Sequence, residues 1–509
     1  MADDGRSKPS KCVQPGYVGS GIVLKKHQIE HFDNINKILE GSFSYVDTSP
    51  MGSGKTIIAL SVAHNYGLSV YVVCPKSAVS MWESEAEKYN IRMVGAITYQ
   101  TLTGTKTRGC SHGLLDRDET SFYPTKYLSH IIKEGTLFIF DEMHSLKNVR
   151  AGCGKAAHAI VKEVVRLNAG SRIALLSATP FDKEEHAQNL LKMIGIVIDD
   201  NYYFYDKTYN YYEPLGINEV IDWCDKVDPE ASRSIHEGII INNKTVATMC
   251  YEFLTNIVKD VCFSSMPPPK IESDKDAMNG YYRMPEKDVV DLQNGIDALS
   301  RAVSFNERTQ TVNINPEGFG GITKALVRIE DAKINTMIRL AREKLNDDDN
   351  CKVILYVWYV DSIKKIQREL RDFNPMAMYG ETSSIQRDAI IERFQRDSND
   401  YRLLISNSKV GGVGINLDDR SGNHPRHMFM IPSYNFIDLH QATGRIHRTT
   451  TMSKASIRFI YSEACRNETS ILNALARKTA VTKSVLTRPE GIIFPGEYEE
   501  YVETFFVHS

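Results

Sequence analysis

Short apolar runs alternate with helix-spaced apolar patterns in two separate parts of the chain. In the first part, "SFSYV", "YVVC" and "LFIF" are continuous apolar runs of strand length, and "TIIALSVAHNYG" shows apolar residues at helical spacing. A second series begins near residue 322 with "KVILYVWYV", followed by the amphipathic stretch "DSIKKIQREL". Continuous apolar strands that alternate with helices are typical of parallel sheets covered on both faces. The pattern therefore predicts an α/β protein with two domains of this kind.

Length and composition agree with this picture. A chain of 509 residues is long enough for two or three domains with separate cores, and its 42% hydrophobic and 25% charged residues are typical of globular proteins. We find no apolar run of about 18 residues and no secretory signal in the polar start "MADDGRSKPSK", so no membrane contact is expected. Nine scattered cysteines without a C-x-x-C pair favour a reducing compartment, cytoplasmic or nuclear. The net charge of −3 excludes a globally basic nucleic-acid binder and requires a local positive cleft for such a function.

The stretch "SPMGSGKTIIAL" predicts a phosphate-binding loop between a strand and a helix. It matches the end of the G-x-x-x-x-G-K-[ST] pattern, while Thr48 or Ser49 occupies the position of the first glycine. The alternative is an ordinary glycine turn, but a strand before the loop and an apolar helix after it favour a nucleotide phosphate. Lys55 would reach the β- and γ-phosphates and Thr56 would bind Mg²⁺. The loop that would hold the nucleotide consists of Gly52, Ser53, Gly54, Lys55 and Thr56.

An acidic pair supplies the second half of such a site. Asp141 and Glu142 follow the apolar run "LFIF", at the strand edge where open α/β sheets bind ligands. Asp141 would hold Mg²⁺ and Glu142 would orient or deprotonate the attacking water. The alternative of a solvated acidic turn loses weight because a phosphate loop precedes the pair.

Together these stretches resemble helicase superfamily 2, and most closely its Swi/Snf-type ATPases. "DEMHSLKN" is similar to the acidic DEAD/DEAH-type box of that branch, "LLSATPF" to its coupling motif, and "YVVCPKSAVSMWESEAEKY" and "AITYQTL" to two further segments. "GIVLKKHQIEHFDNI" resembles the N-terminal motif, "MAMYGETSSIQRD" and "SKVGGVGINLDD" two motifs of the second lobe, and "DLHQATGRIHRTTT" the motif Q-A-x-x-R-x-H-R. The chain departs from the branch where it reads S-A-T-P for T-G-T-P and "HRTTT" for H-R-x-G-Q. Its compact core also resembles the transcription-associated nucleoside triphosphatases of large DNA viruses.

The resemblance implies a fold and a set of functional residues. The fold is two tandem RecA-like parallel-sheet lobes with a helical insertion and an ATP cleft between them. Gln28 would recognise adenine, Gly414 would contribute to the nucleotide site, and Gln441, Arg445 and Arg448 would face the nucleotide from the second lobe, where an arginine fork neutralises developing phosphate charge. The coupling residues would be Ser177, Ala178 and Thr179. The expected nucleic-acid contacts are Lys76, Ser77, Thr98, Thr101, Thr382 and Lys409.

The same patterns divide the chain into five segments. We expect a flexible N-terminal tail over 1–20, the ATP-binding lobe over 21–200, a linker with a helical insertion over 201–320, the second lobe over 321–480 and a C-terminal extension over 481–509.

The expected function is a nucleic-acid-dependent ATPase that uses ATP and Mg²⁺ to translocate on DNA in transcription or DNA remodelling. The chain would act as a monomeric motor on nucleic-acid phosphates, with duplex DNA favoured over RNA, beside proteins of the transcription machinery, and inside a virion if it is viral. Two alternatives stay open: a strand-unwinding RNA or DNA helicase, and an ATP-switched transcription or assembly factor with little turnover. A small-molecule P-loop kinase is disfavoured because it needs no second lobe.

Overall fold

Two structural units divide the chain in the computed structural model. The first contains 1–269 and 480–491, and the second contains 270–479 and 492–509. The structure describes residues 17–19, 21–104, 110–119, 121–148, 151–198, 204–206, 211–213, 215–242, 246–306, 311–314, 319–407, 415–433, 435–465, 468–489 and 497–503. Among these residues, no helix combines the length and the apolar character needed to cross a bilayer.

Twelve strands and eleven α-helices are described in the first unit. The strands are β1 (Tyr17–Gly19), β2 (Ile22–Val23), β3 (Ser44–Asp47), β4 (Ser69–Cys74), β5 (Met93–Thr98), β6 (Leu115–Arg117), β7 (Phe122–Pro124), β8 (Thr136–Asp141), β9 (Arg172–Leu176), β10 (Phe204–Asp206), β11 (Tyr211–Glu213) and β12 (Phe263–Ser264). The helices are α1 (Lys26–Gly41), α2 (Lys55–Asn65), α3 (Val79–Lys88), α4 (Tyr99–Thr103), α5 (Lys126–Lys133), α6 (Gly152–Leu167), α7 (Ala187–Ile194), α8 (Leu215–Val227), α9 (Pro229–Asn242), α10 (Val246–Phe253) and α11 (Lys259–Cys262).

A parallel sheet forms the centre of the first unit, with strand order β12-β3-β9-β8-β4-β5. Successive residues of β8 face opposite sides: Phe138 and Phe140 pack into one core cluster, and Leu137 and Ile139 into the other. Helices α1, α2 and α3 cover the second face, and α4 to α7 cover the first. Burial on both faces explains why these strands read as continuous apolar runs.

The second unit repeats this design with nine described strands. They are β13 (Lys275–Tyr282), β14 (Val303–Asn306), β15 (Thr311–Ile314), β16 (Lys352–Val357), β17 (Met376–Met378), β18 (Leu403–Asn407), β19 (Arg426–Met430), β20 (Ala455–Ser462) and β21 (Glu499–Val502). The helices after α11 are α12 (Glu286–Ala302), α13 (Phe319–Asp347), α14 (Val360–Glu369), α15 (Ser384–Gln395), α16 (Phe436–Thr443) and α17 (Thr469–Val485). Seven strands pair in parallel in the order β17-β18-β16-β19-β20-β13-β21. The expectation of two parallel-sheet lobes is confirmed.

The segment expected as a linker, 201–320, is shared between the units. Helices α8 and α10 bury apolar side chains such as Val220 and Phe253 in the core of the first unit. Strand β12 extends the first sheet, whereas β13 lies inside the second sheet, between β20 and β21. The unit boundary therefore follows Pro269, because strand pairing and apolar burial continue on both sides of it.

The C-terminal segment is likewise shared. Residues 480–491 belong to the first unit, where Thr482 Oγ1 donates to Phe181 O at 2.9 Å. Strand β21 pairs with β13 in the second unit, and Arg339 donates to the Glu503 carboxylate at 2.7 and 3.1 Å. The structure thus differs from the expected separate extension, since both parts complete a unit.

A buried carboxylate joins α13 to the start of α14. Glu330 accepts hydrogen bonds from the main-chain N–H groups of Trp358 and Tyr359 and from Ser362 Oγ, at 2.6 to 3.1 Å. Burial raises the pKa of Glu330 to about 7, although these donated hydrogen bonds oppose the shift. The folded protein therefore holds a proton here at pH values where the unfolded chain has lost it.

We predict that Glu330→Gln changes the pH dependence of stability. Because the folded pKa lies above the ordinary value of 4.5, this group stabilises the fold at pH 5 and loses that contribution as the pH rises through 7. Urea denaturation should give similar free energies of unfolding for the wild type and the variant at pH 5. At pH 8 the variant should be more stable by about 2 kcal/mol. Identical pH profiles for the two proteins would contradict this assignment.

Candidate nucleotide and nucleic-acid site

The glycine loop connects the end of β3 to the start of α2. Gly52 has φ of +76° and Gly54 has φ of +100°, left-handed conformations that favour glycine. Lys55 is the first residue of α2, and its Nζ donates to Ser49 O at 2.8 Å and Pro50 O at 3.2 Å. The loop therefore curls around the lysine at a helix N-terminus, the geometry that binds phosphate. Thr56 follows on the same turn, half-buried.

Gln28 holds the loop from α1. Its Nε2 donates to Ser53 O at 3.0 Å, and its Oε1 accepts from Lys25 N at 2.9 Å. The side chain is buried and lies against Gly54, where an added Cβ would come within 2.4 Å of the amide nitrogen. Gln28 thus lies at the expected place beside the loop, and its adenine contact stays a prediction.

A buried polar cluster under the loop was not foreseen from the sequence. His31 Nε2 lies 3.0 Å from Asp47 Oδ2, and His31 Nδ1 lies 2.8 Å from Ser264 Oγ. Ser49 joins the cluster by donating its main-chain N–H to Asp47 Oδ1 at 2.9 Å. Burial opposes ionisation of Asp47, but His31 and the nearby Lys55 charge outweigh it and hold the pKa of Asp47 below its ordinary value. The cluster fixes the base of the loop.

The acidic pair lies at the carboxyl end of β8, as expected. Asp141 Oδ1 accepts from Glu142 N at 3.0 Å and Oδ2 accepts from Trp82 Nε1 at 2.9 Å, while Tyr99 OH donates to the Asp141 main-chain oxygen at 2.7 Å. Burial, and then the adjacent Glu142 charge, raise the pKa of Asp141 to about 6, whereas Lys55 acts to lower it. The lysine of the loop and the acidic pair are therefore electrostatic neighbours.

Glu142 turns towards the next strand. Its φ of +53° is left-handed, and its Oε2 lies 3.3 Å from His144 Nδ1. The same His144 nitrogen lies 3.4 Å from Ser177 Oγ, which accepts from Thr179 N at 3.2 Å. Ser177, Ala178 and Thr179 are buried directly after β9, and Ser177 N donates to Asp47 O at 3.1 Å. Of the expected coupling residues, Ser177 thus bonds to the base of the glycine loop and reaches Glu142 through His144.

The expected nucleic-acid contacts of the first unit follow β4 and β5. Lys76 and Ser77 are exposed in the short 3-10 turn after β4. Thr98 ends β5 and caps α4 by accepting from Thr101 N at 3.0 Å. All four residues lie at the carboxyl edge of the sheet, which also carries the glycine loop and the acidic pair. In strand order, β9, β8 and β4 separate β3 from β5, so the end of β5 lies about 20 Å from the end of β3 along that edge, whereas β4 lies directly beside β8, which carries the acidic pair.

In the second unit, α16 and the turn after it carry the expected arginines. Gln441 and Arg445 are buried, and Arg445 Nη1 donates to Ile415 O at 3.3 Å. Burial and the neighbouring Arg445 charge lower the pKa of Arg448 to about 10, so the Arg448 guanidinium group stays charged at neutral pH. Thr382 exchanges hydrogen bonds with Tyr379 in the turn after β17. Lys409 and Gly414 lie outside the described residues.

Sequence reasoning missed the partners that hold these groups. Trp82, Tyr99 and His144 were part of quoted motifs but received no role, because nothing in a linear pattern says which atom a side chain will reach. Lys147 and Asp182 were missed in the same way, although Lys147 Nζ lies 2.8 Å from Asp182 Oδ1. The available signal was the place of Lys147 inside the acidic box and of Asp182 directly after the coupling motif.

Comparisons with known proteins find two helicase domains in the chain. Residues 28–187 match the DEAD/DEAH box helicase family, and residues 332–450 match the helicase conserved C-terminal domain. A protein of Acanthamoeba polyphaga mimivirus named as an ATP-dependent RNA helicase is 25% identical over 90% of this chain and 82% of its own length. A protein of Orgyia pseudotsugata multicapsid polyhedrosis virus named as a global transactivator is 22% identical over 83% of this chain and 82% of its own length. An ISWI chromatin-remodeling complex ATPase of Arabidopsis thaliana is 20% identical over 80% of this chain and 38% of its own length.

A phosphate loop and an acidic pair at one edge of a parallel sheet, followed by a second parallel-sheet unit, define a two-domain P-loop ATPase. The chain contains a DEAD/DEAH box helicase domain and a helicase conserved C-terminal domain, and it is related to viral helicase-like proteins and to Swi/Snf-type ATPases. It is an ATP-hydrolysing enzyme of the helicase and translocase type, which confirms the expected class of reaction.

We predict that Gly54→Ala weakens ATP binding at least tenfold, about 1.4 kcal/mol or more. The residue would be strained at φ of +100°, and its Cβ would displace the Gln28 amide from Ser53 O. Gly67→Ala is the matched control, because Gly67 has φ of +62° with open space around the added Cβ. The control should cost about 1 kcal/mol of stability and leave ATP affinity unchanged. Equal ATP affinities for the two variants, measured by calorimetry, would refute the proposed role of the close approach between Gly54 and the Gln28 side chain.

Proposed function

We propose that this chain is a nucleic-acid-stimulated ATPase that translocates along duplex DNA. The observation that supports it most directly is the arrangement around Asp141. Burial and the Glu142 charge raise the pKa of that carboxylate, and the Lys55 charge lowers it. The segments that carry Lys76 and Thr98 lie at the same sheet edge. One edge thus presents groups for phosphate, for water activation and for a nucleic-acid backbone.

The residues of the first unit have separate tasks in hydrolysis. Lys55 would move from the Ser49 and Pro50 carbonyls to the β- and γ-phosphates, since a phosphate oxygen is a stronger acceptor for an ammonium group. Glu142 would take or orient the proton of the attacking water, and His144 would fix the direction of its carboxylate. Gln28 would recognise adenine through its amide edge.

A magnesium ion fits the oxygen donors at this place. Thr56 supplies a hydroxyl in the first turn of α2, and Asp141 supplies a carboxylate whose pKa is raised by burial and by the adjacent Glu142 charge. Hydroxyl and carboxylate oxygens are the ligands that Mg²⁺ prefers beside nucleotide phosphates. The ion would neutralise phosphate charge during transfer.

Gln441, Arg445 and Arg448 would complete the site from the second unit when the lobes close on ATP. Their charge would stabilise the γ-phosphoryl group in the transition state. Closure with ATP and opening after hydrolysis would change the grip of each unit on the strand, and this cycle would produce stepping.

Six polar side chains are the proposed nucleic-acid contacts. Lys76, Ser77, Thr98, Thr101, Thr382 and Lys409 would bind phosphates, which positions a strand without reading its sequence. Kinship with a chromatin-remodeling ATPase favours duplex DNA, and kinship with a viral transactivator favours a role in transcription, beside proteins of that machinery.

A second candidate is unwinding of RNA, since the mimivirus relative is named as an RNA helicase. An ATP-switched factor with little turnover is the third, and the intact Glu142 argues against it. Strand-displacement and triplex-displacement assays separate the first two, and the turnover number separates both from the third.

We predict that Glu142→Gln lowers the turnover number for ATP by at least about 100-fold, because the amide cannot accept a proton from water. ATP affinity should stay within about threefold, whereas Lys55→Ala should lose affinity as well as turnover. Glu134→Gln is the control, since Glu134 is an exposed glutamate directly after α5, away from the sheet's carboxyl edge. Full turnover in Glu142→Gln would end the assignment of the water-activating base.

We predict that duplex DNA stimulates ATP turnover and that the apparent affinity for DNA falls steeply with salt, because the contacts release counterions from phosphates. The measurement compares turnover with duplex DNA, single-stranded DNA and RNA at several salt concentrations. Stimulation by RNA alone would favour the unwinding alternative. A rate indifferent to all three nucleic acids would contradict the motor function.

A further inference from the structure

Asp141 is held by two aromatic side chains from outside its own strand. Trp82 in α3 donates its indole N–H to the carboxylate, and Tyr99 in α4 donates its hydroxyl to the main-chain oxygen of the same residue. Both rings are buried, Trp82 completely. The main-chain N–H of Glu142 occupies the other carboxylate oxygen. Trp82 and the turn after β8 therefore hold the carboxylate, and Tyr99 holds the main chain of the same residue.

The two aromatic residues belong to the segments that carry the proposed nucleic-acid contacts. The exposed turn with Lys76 and Ser77 runs directly into α3, whose buried side chains are Trp82 and Ala86. Tyr99 is the first residue of α4, between Thr98 and Thr101. Each proposed contact segment thus places one hydrogen-bond donor on Asp141.

We propose that Trp82 and Tyr99 are positioning residues through which nucleic acid bound to the two segments reorients Asp141 and stimulates ATP turnover. This inference rests on the proposed function, because it needs nucleic acid at Lys76, Ser77, Thr98 and Thr101. It goes beyond it by naming the route from that surface to the ATP site.

Close packing transmits movement along this route. A fully buried indole cannot absorb a shift of α3 by moving into free space, because protein interiors are close-packed. A displacement of the Lys76 turn would therefore pass to the Trp82 N–H. The hydroxyl of Tyr99 acts on the backbone from which Glu142 turns with its positive φ, so a shift of α4 would change the direction of the water-activating carboxylate.

The route is distinct from the one through the coupling residues. Ser177 reaches Glu142 through His144, from the strand β9 on one side of β8. Trp82 and Tyr99 approach Asp141 from β4 and β5 on the other side. Substitutions in the two aromatic residues therefore test one route without removing the other.

The test compares stimulation of ATP turnover by duplex DNA in Tyr99→Phe and Trp82→Phe with that in the wild type. Tyr99→Phe removes only a hydroxyl and keeps the buried ring. The ratio of turnover with saturating DNA to turnover without DNA should fall at least about tenfold in each variant, a typical coupling energy between two sites. DNA affinity, measured by fluorescence anisotropy, should stay within about threefold, since neither side chain is a proposed phosphate contact.

Two control substitutions make the same chemical change elsewhere. Tyr123→Phe removes an exposed hydroxyl that donates to Asp118, and Trp223→Phe shortens a half-buried ring on α8. Both should keep the wild-type stimulation ratio.

Three results would overturn the inference. The first is an unchanged stimulation ratio in Tyr99→Phe, which decides the matter even if Trp82→Phe does not fold. The second is an equal fall of the basal and stimulated rates, which would mark a merely structural role. The third is a wild type that no nucleic acid stimulates, which would also end the proposed function; the first two results leave that function intact.

Discussion

Parallel pairing of the strands in the first unit is the constraint on which the functional site depends. Because β3, β9, β8, β4 and β5 all run in one direction, their carboxyl ends meet at one edge. That edge receives the glycine loop, the coupling residues, the acidic pair and the two proposed nucleic-acid segments, in this order of strands. A reversed strand would move its functional turn to the opposite edge, away from the site.

Hydrogen bonds then turn this proximity into a connected site. His31 and Asp47 hold the base of the loop, and the main-chain oxygen of Asp47 receives the N–H of Ser177. His144 joins Ser177 to Glu142, while Trp82 and Tyr99 hold Asp141. Almost every proposed functional group of the first unit is therefore within a few hydrogen bonds of the two acidic residues. Buried polar networks of this kind rigidify a site when their members are satisfied.

The amino-acid sequence predicted the strands, the loop and the acidic pair because each is a local pattern: a buried strand is a continuous apolar run, and "GSGKT" needs left-handed glycines before a helix. It could not predict that β12 and β13 would divide the middle segment, because strand pairing is set by contacts distant in sequence. The same reason explains why the role of His31 was missed. His31 and its partners Asp47 and Ser264 come from three separate parts of the chain. The shared C-terminal segment was unpredictable for the same reason, as Glu503 meets Arg339 only in the folded second unit.

We propose that one ATP site uses the glycine loop and acidic pair of the first unit together with the arginines of the second. The most direct measurement is an experimental structure of the chain with ADP, aluminium fluoride, magnesium and duplex DNA. We expect Lys55 to contact the nucleotide phosphates instead of the Ser49 carbonyl, and Arg445 or Arg448 to contact the fluoroaluminate group. A nucleotide bound away from the loop, or a fluoroaluminate group that neither arginine reaches, would contradict it.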